Sequence, residues 1–280
     1  MAPFLLLLGL IPGLILVAAV TFERWRRKNR GERSPLSEEL LRPVGYNLQL
    51  KIEELSAKFD SWFMATFILA WADVGIFSFV NRIQFAIVFG LAAAFSTVIA
   101  FRIVLEIAAY RRGLLGEQAM AEYLQPLIAD GYQIFHDVPS DDKWNIDHVV
   151  VGSAGVFAIE TKYRTKKPAK DGKRDCDAVF DGSRIQFASG DYDSNAVGQA
   201  RNNAVWLAKT LSKATGGRVT VQAMVALPGW YVTLKANSDV KVLSGKQVSG
   251  FISTEPAQLS EKAIQQIIYQ LDQRCRDVAY

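Results

Sequence analysis

Long runs of apolar residues dominate the N-terminal part of the chain, and mixed patterns follow them. Residues 3–22 form one apolar run, and residues 61–108 hold two more that are separated only by Asn81 and Arg82. A run of about 20 apolar residues is long enough to cross the roughly 30 Å hydrocarbon core of a bilayer as a helix. The pattern therefore predicts about three transmembrane helices, an anchor at 1–22 followed by a tight helical hairpin.

Basic residues beside these runs indicate how the chain is oriented. Six of the ten residues in RWRRKNRGER (24–33) are basic. Because basic residues stay on the cytoplasmic side, we expect the basic and amphipathic connector at 23–60 and the C-terminal domain to be cytoplasmic. The prediction is a multi-pass protein of a bacterial-type inner membrane with its N-terminus outside. A cleaved signal peptide is the alternative for the first run, with Ala18 and Ala19 at its end, but the basic block follows that run instead of preceding it.

Asp73 lies midway along the first arm of the hairpin. An acid at that depth is energetically costly and normally faces another helix or a partner. One interpretation is a polar contact among the membrane helices, which also fits a homo-oligomer formed through them. Another is that the hairpin itself carries the function and the soluble part regulates an assembly through Asp73. The segment has no chain of ionisable residues, so transport is the weaker interpretation.

From residue 113 onward the pattern is that of a soluble α/β domain, which we place at 113–280. Gly113 and Gly116 are expected to separate the last membrane helix from a new amphipathic helix. Periodicity then predicts strands at 132–138, 219–227 and 239–244, hairpins at 145–162 and 178–187, and helices at 195–211 and 260–275. Helices on both faces of a mixed central sheet make a three-layer α/β fold.

Composition excludes some kinds of site. Cys176 and Cys275 are far apart and have no CxxC spacing, so they indicate reduced thiols and not a disulfide framework or a zinc site. His136 and His148 are the only histidines, which leaves little room for histidine-based metal chemistry. The net charge of +4 is modest, so its distribution matters more than its size.

Three charged residues flank the hairpin NIDHVVVGSAGVFAIETK. Asp147 lies near the start of its first strand, and Glu160 and Lys162 lie near the end of the second. Because side chains alternate along a strand, Glu160 and Lys162 share one face and Thr161 points to the other. Two acids and a lysine at one edge of a sheet can hold a divalent cation and a water beside a phosphate. The spacing alone is a weak signal, since charged residues commonly end strands.

Three further polar residues are candidates for the same site. Glu117 lies on the apolar stripe of a predicted helix, where it either offers a favourable charge at the helix N-terminus or takes part in the site. Gln199 and Asn203 are four residues apart on another predicted helix, so both can reach a shared polar site.

A basic stretch, YRTKKPAKDGKR, follows Lys162 directly. It is either solvated surface or the place where a polyanion passes the site. In the second case nucleic-acid phosphates would contact Lys166, Lys167, Lys170, Lys173 and Arg174, with an affinity that falls steeply as salt rises.

Three blocks of the sequence carry a family resemblance. GLLGEQAMAEYL, IDHVVVGSAGVFAIETK and GQARNNAVWL resemble, in this order and spacing, the nuclease-related domain called NERD, a branch of the PD-(D/E)XK, restriction-endonuclease-like superfamily. The resemblance covers about 113–230 and implies a three-layer restriction-endonuclease-like fold. The basic stretch and the membrane hairpin lie outside the pattern of the family.

The resemblance also implies roles for the site residues. Asp147 and Glu160 would ligate Mg²⁺, Lys162 would position or activate the attacking water, and Glu117 and Gln199 would complete the site. Mg²⁺ prefers oxygen ligands and keeps several waters, so two carboxylates and one backbone carbonyl, that of Thr161, suffice. Mn²⁺ is the alternative cation.

These observations predict a membrane-anchored, Mg²⁺-dependent nuclease that hydrolyses phosphodiester bonds of DNA or, as the second choice, RNA. Its partners would be nucleic acid and the lipid bilayer. The alternative is a non-catalytic module that tethers nucleic acid or a protein to the inner membrane. Both acids and the lysine are present, and a pure binding module has no need of them, so the sequence favours the nuclease.

Overall fold

The structure is a computed structural model that describes residues 19, 21–23, 25–26, 38–80, 83–141, 144–169 and 174–278. The predicted anchor at 3–22 lies almost entirely outside the described residues. The chain divides into two compact units. The first contains Glu53–Ala108 together with the N-terminal residues, and the second contains Glu38–Ile52 and Ala109–Tyr280.

Two long helices, α1 (Tyr46–Val80) and α2 (Ile83–Leu124), supply the first unit and continue into the second. Inside the first unit they are joined by polar contacts. The Ser96 hydroxyl, which is buried, donates a hydrogen bond to the Trp62 carbonyl at 3.0 Å, and the Thr66 hydroxyl donates to Ser96 Oγ at 2.9 Å. The arms predicted at 61–108 are therefore helices that contact each other.

Large apolar side chains cover the outside of both helices. Those more than a third exposed include Phe63, Met64, Phe67, Ile68, Phe85, Val88, Leu91, Phe95, Val98 and Phe101. One helical stretch in the described part of the chain, Ile83–Ala129, is long and apolar enough to cross a membrane, and only 17% of its most apolar window is buried. A core helix of a soluble protein would be mostly buried.

The sequence predicted about three membrane helices, but the described residues contain one candidate. The anchor lies outside them, and the first arm of the hairpin runs into 76–80, where only the backbone is described.

The second unit is built around a five-stranded mixed sheet. Its strand order is β10 (Val240–Ser244), β8 (Val221–Leu227), β4 (Gly155–Thr161), β3 (Asn145–Gly152) and β2 (Gln133–Pro139). Strands β2, β3 and β4 are antiparallel, whereas β4, β8 and β10 are parallel. The hairpin predicted at 145–162 is confirmed as β3 and β4.

Helices cover both faces of this sheet. The β4 side chains Val156 and Ala158 pack in one apolar core with α4 (Asn195–Thr215) and α6 (Glu261–Cys275). Their neighbours Phe157 and Ile159 pack in a second core with the end of α2, with α3 (Pro126–Ala129) and with α5 (Gly245–Thr254). Because side chains alternate along β4, the strand contributes to an apolar core on each face of the sheet. The predicted three-layer α/β fold is confirmed.

A smaller four-stranded sheet follows the order β7 (Tyr192–Asp193), β6 (Ile185–Phe187), β5 (Asp177–Phe180) and β9 (Tyr231–Leu234). The second predicted hairpin is confirmed as β5 and β6. The Asp181 carboxylate forms its turn by accepting hydrogen bonds from the backbone N–H groups of Ser183 and Arg184.

The segment Glu38–Ile52, which the sequence suggested as a connector, is an integral part of the second unit. Strand β1 (Leu40–Leu41) pairs antiparallel with β11 (Arg276–Val278) at the C-terminus. Arg42 donates two hydrogen bonds to the Asp277 carboxylate, at 2.5 and 2.7 Å. No local pattern predicts this pairing, because it joins short segments more than 200 residues apart.

The expected break at Gly113 and Gly116 is wrong, since α2 runs through both glycines. A glycine inside a helix costs only about 1 kcal/mol relative to alanine, so packing can outweigh it. At Gly116 that packing is close: an added Cβ would lie 2.7 Å from Cβ of Tyr163. The glycine lets the helix approach the residue that follows Lys162.

Gly116→Ala is therefore expected to destabilise the protein by about 1–3 kcal/mol, because the extra methyl group overpacks the contact with Tyr163. Gly250→Ala is the matched control. Gly250 is also helical, but an added Cβ meets nothing within 4 Å there, so we expect a gain of about 0.5–1 kcal/mol. Thermal unfolding of both variants in detergent micelles measures the difference. Equal effects of the two substitutions would contradict the packing role of Gly116.

Candidate active site

Asp147 and Glu160 lie side by side on neighbouring strands of the central sheet. The register pairs His148 of β3 with Ile159 of β4, so the next positions place Asp147 opposite Glu160. Both side chains are on the face covered by α4, and both residues are buried, at 8% and 3% exposure. Asp147 Oδ2 accepts a hydrogen bond from the backbone N–H of Thr161 at 2.7 Å. This contact holds the Asp147 carboxylate against the end of β4.

Lys162 and two amides of α4 complete a continuous network around Glu160. Lys162 Nζ donates to Glu160 Oε1 at 2.7 Å and to Gln199 Oε1 at 2.9 Å. Asn203 Nδ2 donates to Glu160 Oε2 at 3.0 Å. Gln199 and Asn203 are one helical turn apart, which is why one helix reaches both the lysine and the acid. The structure thus brings Asp147, Glu160, Lys162 and Gln199 together.

Burial and mutual repulsion govern the electrostatics of the acids. Burial raises the pKa of Asp147 well above its ordinary value, and the charges of Glu160 and Glu117 raise it further. Burial also raises the pKa of Glu160, although the neighbouring Lys162 opposes the rise. For Lys162, burial lowers the pKa, but attraction to Glu160 outweighs burial and the net pKa is raised. The lysine is therefore an ammonium ion at neutral pH.

Glu117 joins this group from helix α2. The residue is 6% exposed, and its Oε2 atom has no hydrogen-bond partner among the described residues. Burial raises the pKa of Glu117 to about 8, and repulsion from Asp137 and Glu160 adds to the effect. Of the two interpretations offered by the sequence, proximity to the site is the one the structure favours. Glu117 lies far inside α2, which begins at Ile83, so a helix N-terminus does not stabilise its charge.

Asp137 is a buried acid that the sequence analysis missed. Its backbone has a positive φ of 52°, which is unusual for a residue other than glycine. Its carboxylate accepts hydrogen bonds from the backbone N–H of Asn47 and from the Asn145 side chain. Burial raises its pKa, and its charge in turn raises the pKa of Glu117. The one available signal was an acid between His136 and Val138 within a predicted strand.

The two histidines pair with each other in the central sheet. His136 Nδ1 and His148 Nδ1 are 2.8 Å apart across β2 and β3, so one ring donates a hydrogen bond to the other. Burial lowers the pKa of both, in the case of His136 to about 4. Both rings are therefore neutral at pH 7.

The basic stretch after Lys162 is matched by acids. Lys167 forms an ion pair with Asp191 at 2.8 Å, and Arg174 forms one with Asp177 at 2.8 Å. Lys166 is exposed. The predicted contacts at Lys170 and Lys173 lie outside the described residues. The described part of the stretch is therefore a surface of paired charges more than a free basic patch.

The donor set fits a hard divalent cation. The carboxyl groups of Asp147, Glu160 and Glu117 are near enough to raise one another's pKa, and Glu160 contacts the Lys162 ammonium group. One buried carboxylate oxygen of Glu117 has no partner in the described structure. Within the described ranges, no three His, Cys, Asp or Glu side chains form a ready-made metal cage. A metal here would accordingly rest on the carboxylates of Asp147 and Glu160 with the Thr161 carbonyl and water, which is the ligation Mg²⁺ accepts.

The two acids and the lysine thus lie together at the ends of two interior strands of a mixed sheet. Residues 112–228 match the family model of NERD, the nuclease-related domain. These residues are therefore similar to the NERD domain, as the resemblance implied, and the match suggests a nuclease-related function at that general level. No curated protein and no solved structure matches the chain.

Proposed function

We propose that the protein is a membrane-anchored, Mg²⁺-dependent phosphodiesterase that cleaves nucleic acid, with DNA as the first candidate and RNA as the second. One observation carries the proposal: Asp147, Glu160 and Lys162 converge in one buried network that two amides of α4 support. Structural ion pairs seldom bring several acids with raised pKa values together at a sheet edge, whereas catalytic sites do so regularly.

Each residue has a role that its contacts support. The carboxylates of Asp147 and Glu160 and the Thr161 carbonyl would hold the cation. When bound, Mg²⁺ would supply Lewis acidity toward the phosphate and lower the pKa of a bound water. Asn203 fixes the orientation of Glu160, and Gln199 holds the Lys162 ammonium group in place.

Lys162 supplies the fixed positive charge of the site. Its side chain is one-quarter exposed, so it can meet a phosphate that approaches from solvent while Glu160 holds the ammonium group. Phosphoryl transfer depends mainly on positioning and electrostatic stabilisation, and a preorganised ammonium group provides both. Glu117, with its pKa raised to about 8, is protonated at neutral pH and can donate a hydrogen bond to a group that enters the site.

The membrane part of the proposal rests on the path of the chain. Glu38–Ile52 and Ala109–Tyr280 belong to one compact unit, so the intervening residues leave that unit and return to it. If Glu53–Ala108 crosses a bilayer, both of its ends lie on the same side. The basic residues after position 110 support a cytoplasmic location for that side. The exposed apolar side chains of α1 and α2 would then face lipid.

The non-catalytic binding module is the less supported candidate. Such a module would hold phosphates with free cations, yet Lys167 and Arg174 are already paired with aspartates. An exposed cation in an ion pair has less charge to offer a phosphate. By contrast, the buried acids would contribute nothing but repulsion to a pure nucleic-acid binder.

The full chain in detergent micelles or nanodiscs tests the proposal. With Mg²⁺ it should cleave linear single- and double-stranded DNA or RNA, EDTA should stop cleavage, and Asp147→Asn should abolish it. Asp239→Asn, which removes an exposed acid paired with Arg201, is the matched control and should cleave like the wild type. The protein should also stay with the membrane in alkaline carbonate. An Asp147→Asn variant as active as the wild type would refute the assignment.

A further inference from the structure

A cavity of about 580 Å³ opens beside the proposed catalytic network. Gln199 and Asn203 line it, and these two residues also contact Lys162 and Glu160. The volume lies within the range of small-molecule sites in proteins, about 300–1,000 Å³. A molecule in this cavity would therefore lie next to a phosphate bound at Lys162.

Most of the surface that lines this cavity is apolar, although polar residues contribute to it. Helix α4 contributes four amides, Asn195, Gln199, Asn202 and Asn203, whose spacing of four, three and one residues places them on one side of the helix. The indole of Trp144 forms the opposite part of the lining. None of the described residues that line the cavity carries a charge, so the cavity is not built for a phosphate.

Charged groups collect in a different cavity of the same unit. That cavity measures about 390 Å³, and Tyr163, the neighbour of Lys162, borders it. Arg112, Arg164 and Lys167 line it together with one acid, Asp191, which is paired with Lys167. This cavity thus has an excess of basic residues, whereas the cavity beside Gln199 is lined by neutral residues. A nucleic acid matches these two cavities, because its phosphates are anionic and its bases are neutral, flat and able to form hydrogen bonds.

We infer that the Trp144–Asn202 cavity receives an unpaired nucleobase next to the phosphodiester bond that is cut. Amide side chains offer both donors and acceptors, as the edges of nucleobases do, and an indole offers a face for stacking. Trp144 is partly exposed and is fixed by an edge-to-face contact with Trp206 at 5.1 Å between ring centroids. The Asn202 side chain is exposed, and no described residue bonds to it.

The inference deepens the proposed function, on which it rests, by naming the class of substrate. A base inside a duplex is stacked on its neighbours and paired, and cannot enter a side cavity without leaving the helix. The protein would therefore prefer single-stranded nucleic acid, or a duplex with an unpaired base, to an intact duplex. Trp144 and Asn202 become specificity-determining residues, separate from the catalytic group.

Binding measurements with the full chain in detergent micelles test the inference. Fluorescence anisotropy compares three labelled oligonucleotides of equal length: a single strand, the same strand with abasic sites, and an intact duplex. Ca²⁺ replaces Mg²⁺, and a gel verifies that the oligonucleotides stay whole. Because loss of one stacked base weakens binding by roughly 5- to 150-fold, we expect the wild type to prefer the natural strand to the abasic strand about tenfold.

Two variants assign this preference to the cavity. Trp144→Leu removes the stacking face, and Asn202→Ala removes an exposed amide with little risk to folding; each should reduce the preference to less than about threefold. Asn237→Ala, an exposed asparagine outside the cavity, is the matched control and should keep it. The inference is overturned if the wild type binds natural and abasic strands equally, if the preference survives both cavity substitutions, or if the duplex binds as tightly as the single strand.

The results also separate this inference from the proposed function. A base preference that depends on Trp144 and Asn202, without Mg²⁺-dependent cleavage, would uphold the cavity and reject the catalytic proposal. Cleavage that is equally fast on natural and abasic strands would uphold catalysis and reject the cavity as a base site.

Discussion

Replacing Lys162 with methionine is expected to lower kcat of nucleic-acid cleavage by about 100- to 1,000-fold, the usual effect of losing one preorganised group that stabilises transition-state charge. Methionine keeps much of the length of the lysine side chain, so the packing beside Tyr163 should persist. The ammonium group that bridges Glu160 and Gln199 is lost, while the carboxylates proposed to hold the cation remain. Initial rates at saturating Mg²⁺ measure the change.

The effect should fall on kcat more than on KM, because the group acts on charge that develops in the transition state. Lys58→Met is the matched control. Lys58 is also ion-paired, to Glu54 at 2.5 Å, but it lies on the exposed side of α1. A Lys162→Met enzyme with an unchanged kcat would remove the lysine from the mechanism. A change confined to KM would make it a substrate-binding group.

Glu117→Gln is expected to stabilise the metal-free protein at alkaline pH. The pKa of Glu117 is about 8 in the folded protein and its ordinary value is 4.5, so the folded state binds this proton more tightly than the unfolded state does. The free energy of unfolding therefore falls as the pH rises from about 4.5 to 8. Glutamine carries no charge and avoids this loss, which corresponds to roughly 2–4 kcal/mol at pH 8.

Thermal unfolding in EDTA across pH 5 to 9 measures this effect. The wild type should lose stability over that range relative to the variant, and the two should converge near pH 5. A bound cation would stabilise the ionised Glu117, so adding Mg²⁺ should narrow the gap at pH 8. Glu122→Gln, an exposed acid on the same helix, serves as the control and should follow the wild type. If the stability of the wild type and of Glu117→Gln changed with pH in the same way, ionisation of the Glu117 carboxyl group would not destabilise the folded protein, and the prediction would be wrong.

Local patterns predicted the parts of the fold that neighbours in sequence determine. The hairpin of β3 and β4 follows from two β-branched runs around a short turn, and α4 follows from its apolar spacing. The alternation of side chains along a strand placed Glu160 and Lys162 on one face. Helical spacing placed Gln199 and Asn203 where both contact the same site. The metal, the substrate and the catalytic roles themselves stay predictions.

Contacts between distant segments account for the rest. The helix break expected at Gly113 and Gly116 is wrong, and Gly116 instead makes a close contact with Tyr163, which no local rule reveals. The basic stretch suggested a phosphate path, but Asp191, 24 residues beyond Lys167, pairs with that lysine once the small sheet has formed. Likewise β1 has only two residues, too few for any periodicity, and its position depends wholly on β11.

The pairing of β1 with β11 sets an order of events during biosynthesis. Proteins are made from the N-terminus, so Leu40 must wait for Val278, more than 200 residues further along the chain, before this edge can close. The apolar helices α1 and α2 are translated before that moment. The second unit thus reaches its final form only on a chain in which both helices have already been made.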